Sequence, residues 1–336
     1  MAEVAPAGAS DRGQLLLVAG LIIAVTVLAL ALTLNAVIHA ETLASRNAGT
    51  AGGDDPIRFL DATEDAVAGV LDRANRNHAG SHAALRETVT ADLAAWRNAS
   101  GRYYAAAGAV TNVSPRTLDD GTRLAQTNRS RNFTAADGSS TWTLASGVSG
   151  MRQFRVAVTN DSLVAASHAT VSAGDGVFHV HVTDRSSSRW RVFVYRNATS
   201  GAFAVTVQNE TDGGSSTKSE PCSATGGAVS VNITDGTVGG EHCPALSFMS
   251  DLRSPYTIGY NETESTAGGP TISGTYHLIV DDASIARSPG PRFNGSPGDS
   301  PWAGAAVYAV DYRVVYETAR LWYNATVRVA PGEPDG

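Results

Sequence analysis

The sequence predicts an α+β protein: an N-terminal transmembrane helix, a short helical segment, then a mainly antiparallel, β-sandwich-like external domain. Three observations predict it. Residues 15–34 form an uncharged apolar run. Between Ile57 and Ala107, apolar residues recur at helical spacing. Beyond Val110, apolar and polar residues alternate in short runs bounded by Gly, Asn, Asp and Ser, the pattern of half-buried strands.

The apolar run reads LLLVAGLIIAVTVLALALTL from Leu15 to Leu34, interrupted only by Gly and Thr. As a helix of 20 residues it would extend about 30 Å, the thickness of a hydrocarbon core. It has no polar face, so it does not pattern as a core helix. It is longer than a cleavable signal core, and no Ala-x-Ala site follows promptly, so it is expected to stay in the mature protein.

Asp11-Arg12-Gly13-Gln14-Leu15 stands immediately before the run. This junction resembles archaeal class III signal sequences, which prepilin peptidase cuts. The resemblance implies cleavage between Gly13 and Gln14. Without cleavage, the segment is a plain signal anchor with Arg12 marking the cytoplasmic side. About the first 46 residues, and weakly the tail RVAPGEP, are similar to haloarchaeal pilin-like surface proteins of uncharacterised function. Val18 stands where many bacterial pilins carry glutamate, and the apolar motif of the major haloarchaeal adhesion pilins is absent. The resemblance therefore implies a minor or pilin-like subunit.

The expected organisation is a leader over 1–13, the anchor helix and its exit over 14–46, and a flexible Gly-rich neck over 47–56. A helical segment follows over 57–110, a β-rich external domain over 111–330, and a polar, frayed tail over 331–336. Asp54-Asp55-Pro56 is a helix start, after which Phe59, Leu60, Val67, Val70 and Leu71 fall near one face. Gly80 breaks the pattern, and Leu85, Val89, Leu93 and Trp96 resume it. Expected strands include Phe154–Val158, Val177–Val182, Trp190–Val194, Phe203–Val207, Tyr276–Val280, Val307–Tyr316 and Leu321–Val329. The run from Ser188 to Glu210 reads as a hairpin turning at Asn197–Gly201. Gly/Ser/Pro-rich stretches at 212–220, 264–270 and 287–301 read as exposed loops.

Composition bounds the rest. The 336 residues suffice for one large or two ordinary domains beyond the anchor. A 43% hydrophobic content suits a folded chain, and 34 Gly against 3 Met suits a loop-rich one. The net charge of −7 with no basic tract excludes a nucleic-acid partner. Of 25 basic side chains only Lys218 is lysine, which fits a GC-rich genome or a salt-adapted surface.

Every asparagine after residue 80 lies in an N-x-S/T sequon: Asn98, Asn112, Asn128, Asn132, Asn160, Asn197, Asn209, Asn232, Asn261, Asn294 and Asn324. Ser/Thr frequency alone would place about two of these eleven there. Asn35, Asn47, Asn75 and Asn77 lie in no sequon. The enrichment implies that the chain beyond residue 80 is exported and meets an oligosaccharyltransferase. Cys222 and Cys243 are the only cysteines, and an even external pair is expected to form a disulfide.

Candidate chemistry is sparse. His179 and His181 lie two apart on a strand and so share a face, from which a metal ion is reachable with His168 or His277 as a third ligand. In FHVHVTD, however, Phe178, Val180 and Val182 supply the core face, which puts the histidines on the solvated one. His78 and His82 are four apart, but Gly80 lies between them and no HExxH glutamate accompanies them. The pairs Asp119-Asp120 and Asp281-Asp282 read as solvated carboxylates. Trp190, Trp302, Trp322 and Tyr323 read as packing residues or as a glycan platform. No nucleophile elbow, phosphate loop or cofactor motif is visible. The resemblance and the sequons lead to the expectation of a glycosylated, pilin-like surface protein. Its expected partners are membrane lipid, other pilin-like subunits or a surface-layer glycoprotein. The alternatives are a membrane-tethered binding or sensor module, and an exported hydrolase with a dispersed site.

Overall fold

The computed structural model describes residues 55–77, 80–173, 176–211, 214–217, 220–261 and 272–334. The leader, the Leu15–Leu34 run, most of the neck, His78 and the 264–270 loop lie outside the described residues. No described helix is long and apolar enough to cross a membrane. The chain divides into two units, Met1–Arg58 and Phe59–Gly336, and the second holds every described strand.

Two helices come first, α1 (Asp55–Asn77) and α2 (His82–Ala106), separated at Gly80 as the sequence predicts. Pro56 is tolerated in the first turn of α1, where its missing N–H has no helical partner to lose. Phe59, Thr63, Val67, Val70, Leu71 and Ala74 form its buried stripe. Ser81 caps α2 by accepting the Ala84 N–H at 3.3 Å, and Leu85, Val89 and Leu93 are its buried face. The helix stops at Ala107, followed by Gly108 at φ 82°, a backbone region that glycine enters without strain.

The strands follow in order. The first group is β1 (Val110–Gln126), β2 (Trp142–Val148), β3 (Met151–Thr159) and β4 (Ala165–Ala166), with α3 (His168–Ala173) after it. Next come β5 (His179–Thr183), β6 (Arg189–Asn197), β7 (Phe203–Thr211), β8 (Gly214–Thr217) and β9 (Cys222–Ala224). Then β10 (Ala228–Asn232), β11 (Thr237–Val238), β12 (Glu241–His242), β13 (Tyr256–Asn261) and β14 (Gly274–Val280) precede α4 (Ser284–Arg287). The last are β15 (Trp302–Glu317) and β16 (Trp322–Val329).

They form two sheets of eight strands each. The first runs β12-β11-β10-β3-β14-β1-β15-β16, and the second β2-β13-β5-β6-β7-β8, with β4 beside β6 and β9 beside β7. Pairing is antiparallel except between β4 and β6. The sandwich core lies between the sheets: Phe154, Val156 and Leu278 meet Val180, Val192 and Val205. Each buried side chain of this size contributes about 2 kcal/mol. The helices cover the other face of the first sheet, where Phe59, Leu71 and Val89 pack with Tyr312, Val314 and Tyr316. This makes an α+β domain with a helical layer, and the hairpin between β6 and β7 turns where expected, with Gly201 at φ 69°.

The disulfide expected from the cysteine count is present, Cys222 to Cys243. It joins β9, attached to the second sheet, to the residue following β12 in the first, across 21 residues of sequence. Closing a loop of that size stabilises the fold by roughly 3 kcal/mol. A Cys222→Ser, Cys243→Ser variant is expected to lose that amount, read as the shift in urea midpoint. Equal midpoints with and without reductant would show the bridge to be idle.

One expectation fails at the C-terminus. The tail reads as frayed, yet residues 331–334 are docked. Arg152 donates to the Pro331 carbonyl at 3.0 Å, the Gln153 N–H to Gly332 O at 3.2 Å, and Tyr308 Oη to Glu333 Oε1 at 2.6 Å.

Candidate functional site

β5 presents His179 and His181 to one face, as alternation requires, but that face is covered over His179 and only partly open at His181. The segment after β3 lays Ala166, Val171 and Val177 against Phe193, Tyr195 and Ala204 on the outer side of the second sheet. His179 is 4% exposed, its ring 4.7 Å from that of Phe193 and its Nδ1 3.0 Å from Val177 O. The expectation of a solvated histidine is therefore wrong for His179, because a covering layer sits where antiparallel sheets commonly meet water, whereas His181 stays partly exposed.

The histidines do not converge on a metal. His168 lies on α3 with Nδ1 3.5 Å from Thr206 Oγ1, and His277 belongs to the other sheet, 3.3 Å from Gln153 O. His82 Nε2 lies 2.8 Å from the Gly121 carbonyl. Among the described residues no group of three ligating side chains stands together.

His181 borders a polar cleft of about 530 Å³ shared with Asp137, Ser139, Thr143, Arg189 and Arg292. Its ring lies across Gly259, where a Cβ would meet the ring and come within 2.6 Å of Trp142 O. Burial, and then the neighbouring His179, push the His181 imidazolium down to about 4, so the ring is neutral at pH 7. Its Nδ1 is buried without a partner, so no hydroxyl or carboxylate is aligned with it as in a nucleophile–base pair. The cleft can hydrogen-bond a polar or anionic ligand. Gly259→Ala is expected to cost about 1–3 kcal/mol by overpacking and to displace His181. An unchanged unfolding midpoint together with an unchanged His181 NMR signal would contradict the close contact.

A second cleft, about 370 Å³, opens on the first sheet between Arg123, Arg129, Arg155 and His277. Arg123 donates to Asn75 O at 2.8 Å at the end of α1 and lies over the Trp302 ring at 5.1 Å. Burial first, and then Arg76, lowers its pKa. His277 is pushed down to about 4 by burial first, then by Arg123, with Arg152 and Arg155 adding to it. Arg123, Arg129 and Arg155 line the cleft, Arg155 lying 3.4 Å from Asp235, and their guanidinium N–H groups suit an anionic ligand. The sequence did not disclose this cleft because its cations come from β1, the following loop and β3, joined only by the register Arg155–His277–Ala125.

Three of the four carboxylates in the acidic pairs bond within the fold, and Asp119 is exposed. Asp120 bonds Arg86 at 2.7 Å and Arg287 at 3.2 Å. Asp281 accepts the Ser149 N–H at 3.1 Å, and Asp282 the Ser284 N–H at 2.7 Å. Among the aromatics, Trp190 stacks on Phe248 in the core and Trp302 is buried. Tyr323 packs on the helical layer, and Trp322 is exposed.

The sequons differ in setting. Asn98, Asn112, Asn128 and Asn324 are exposed, while Asn132, Asn160, Asn197, Asn209, Asn261 and Asn294 are partly covered. Asn232 is 7% exposed; its Oδ1 accepts from Thr234 Oγ1 and the Asp235 N–H, both at 3.2 Å, and its Nδ2 donates to the Asp235 carboxylate. No protein-family model matches the chain, and no curated protein matches it in sequence.

Proposed function

We propose that this chain is a pilin-like, glycosylated cell-surface protein of structural, adhesive or envelope-assembly role, held at the membrane by Leu15–Leu34. The observation that carries the reading is the placement of all eleven asparagines after residue 80 in sequons, behind a junction of class III type. A disulfide-tied sandwich suits an exported domain and supports it. The anchor would contact lipid and other pilin-type helices through apolar packing. The sandwich would face outward, toward a surface-layer glycoprotein or a substratum.

The test is the mature N-terminus. Peptide sequencing is expected to find Gln14 first, and Met1 or Ala2 in a strain lacking prepilin peptidase. If the protein has the processed size in that strain, the pilin-like reading fails.

A second reading, a membrane-tethered binding module, is favoured by the arginine cleft. It predicts saturable binding of a polyanionic saccharide, weakened by salt and abolished by Arg123→Ala, Arg155→Ala. Equal binding by the double variant would remove it.

A further inference from the structure

At one end the first sheet runs on as a three-stranded ribbon of β1, β15 and β16. The helices cover one face of it through Val113, Val314 and Tyr316, with Tyr323 packed alongside. The intervening residues therefore point to the opposite face, and none of them belongs to the core between the sheets. Two rows stand there side by side. Val110, Glu317 and Trp322 are paired across the three strands, and so are Asn112, Val315 and Asn324.

We infer that this face carries a pair of N-linked glycans, at Asn112 and Asn324, which cover Val110, Val315 and Trp322 and close the open edge of β16, while Asn232 stays bare. The inference rests on the export and glycosylation proposed above, and adds where the saccharides sit and what they cover.

Both asparagines are exposed and flank one strand, so their saccharides start about 10 Å apart. Asn324 Oδ1 is held by Arg313 Nε at 2.8 Å, a bond that does not use the amide nitrogen. Asn112 Nδ2 gives one N–H to Ser114 Oγ at 3.0 Å and has a second to substitute. The face needs a cover: Val110 is 66% exposed and Trp322 62%, in one row. β16 ends its sheet without Pro or Lys, and among the described residues no strand pairs with its outer edge. Trp322 lies two residues before Asn324 on the same face, about 7 Å away, where the C–H face of a sugar can rest on the indole. Asn232 is the opposite case. A saccharide on its Nδ2 would have to enter a buried position and disrupt the bonds that close its turn.

The test uses the full chain purified from a host with its own export and glycosylation machinery. Glycopeptide mass spectrometry is expected to find Asn112 and Asn324 modified and Asn232 unmodified. Ser114→Ala and Thr326→Ala delete the two sequons without touching the asparagines. In the double variant, hydroxyl-radical oxidation of Trp322 is expected to rise several-fold relative to the buried Trp190. Modified Asn98 and Asn128 with bare Asn112 or Asn324 would overturn this inference alone. A modified Asn232, or Trp322 oxidation unchanged in the double variant, would overturn it as well. A chain with no glycan anywhere would overturn both this inference and the surface reading beneath it.

Discussion

Replacing Arg152 with alanine is expected to cost about 3–5 kcal/mol of stability. Arg152 sits on β3 with its side chain 0% exposed, 3.6 Å from Asp72 of α1. One Nη donates to Val307 O and the other to Pro331 O, both at 3.0 Å, and the guanidinium lies 5.8 Å from the Tyr308 ring centre. Burial lowers its pKa and the Asp72 charge offsets part of that, but an arginine stays protonated under such strain. Truncation leaves the Pro331 carbonyl without its donor, the Val307 carbonyl with Asn75 Nδ2 alone at 2.9 Å, a void, and an Asp72 that keeps its Gln153 bond at 2.6 Å and a longer pairing with Arg76 at 3.8 Å.

Arg152→Met should lose less, because it refills the void and Asp72 is partly open to water. Because Arg152 links α1, β15 and the tail, the amides of Gly332 and Glu333 are expected to exchange hydrogen faster in the alanine variant. A urea midpoint lowered by less than about 1 kcal/mol equivalent would show that the network is not a structural centre.

The difference between what could and could not be read in advance is physical. β5, β6 and β7 were legible because Val180, Val182, Val192, Val194, Val205 and Val207 alternate strictly toward one core. The helix break at Gly80 and the disulfide rested on local signals that no tertiary contact reverses. β1 is absent from the expected strands: Pro115, Asp119-Asp120 and Gly121 are residue types that interrupt a strand pattern, yet the strand absorbs them at two register shifts. Gly121 is required there because a Cβ would run into the Val280 carbonyl. The tail misled for a different reason. Its Pro and Gly suggest fraying, but Arg152, which holds it, lies 179 residues earlier in the chain. The candidate clefts had no local signature, since each gathers side chains from several strands and loops.

The buried histidines give the second large effect, a loss of stability as the pH falls from about 6.5 to about 4. His179, His181 and His277 each have an imidazolium pushed down to about 4, in every case chiefly by burial. Around His179, Arg191 and Arg189 add to this while the Val177 carbonyl and Glu210 oppose it. His181 feels His179 and Arg189, and His277 feels Arg123, Arg152 and Arg155 against the Gln153 carbonyl.

The sign follows. Above the unfolded value of 6.5 both states are neutral at these rings, and the full stability is present. Below it the unfolded chain takes up protons that the folded one refuses until about pH 4, so each histidine lowers stability by up to about 1.4 kcal/mol per pH unit. His181 and His277 are partly accessible and should show less than His179. Asp281, raised by burial, works in the opposite direction. The urea midpoint is therefore expected to drop already between pH about 6.5 and about 5, before ordinary carboxylates take up protons. His277→Gln, which keeps a polar side chain near Gln153 O, should flatten that slope without moving the midpoint at neutral pH by as much. A midpoint constant down to pH about 5 would mean that the three rings are hydrated and protonate freely, and that the layer over the second sheet opens in solution.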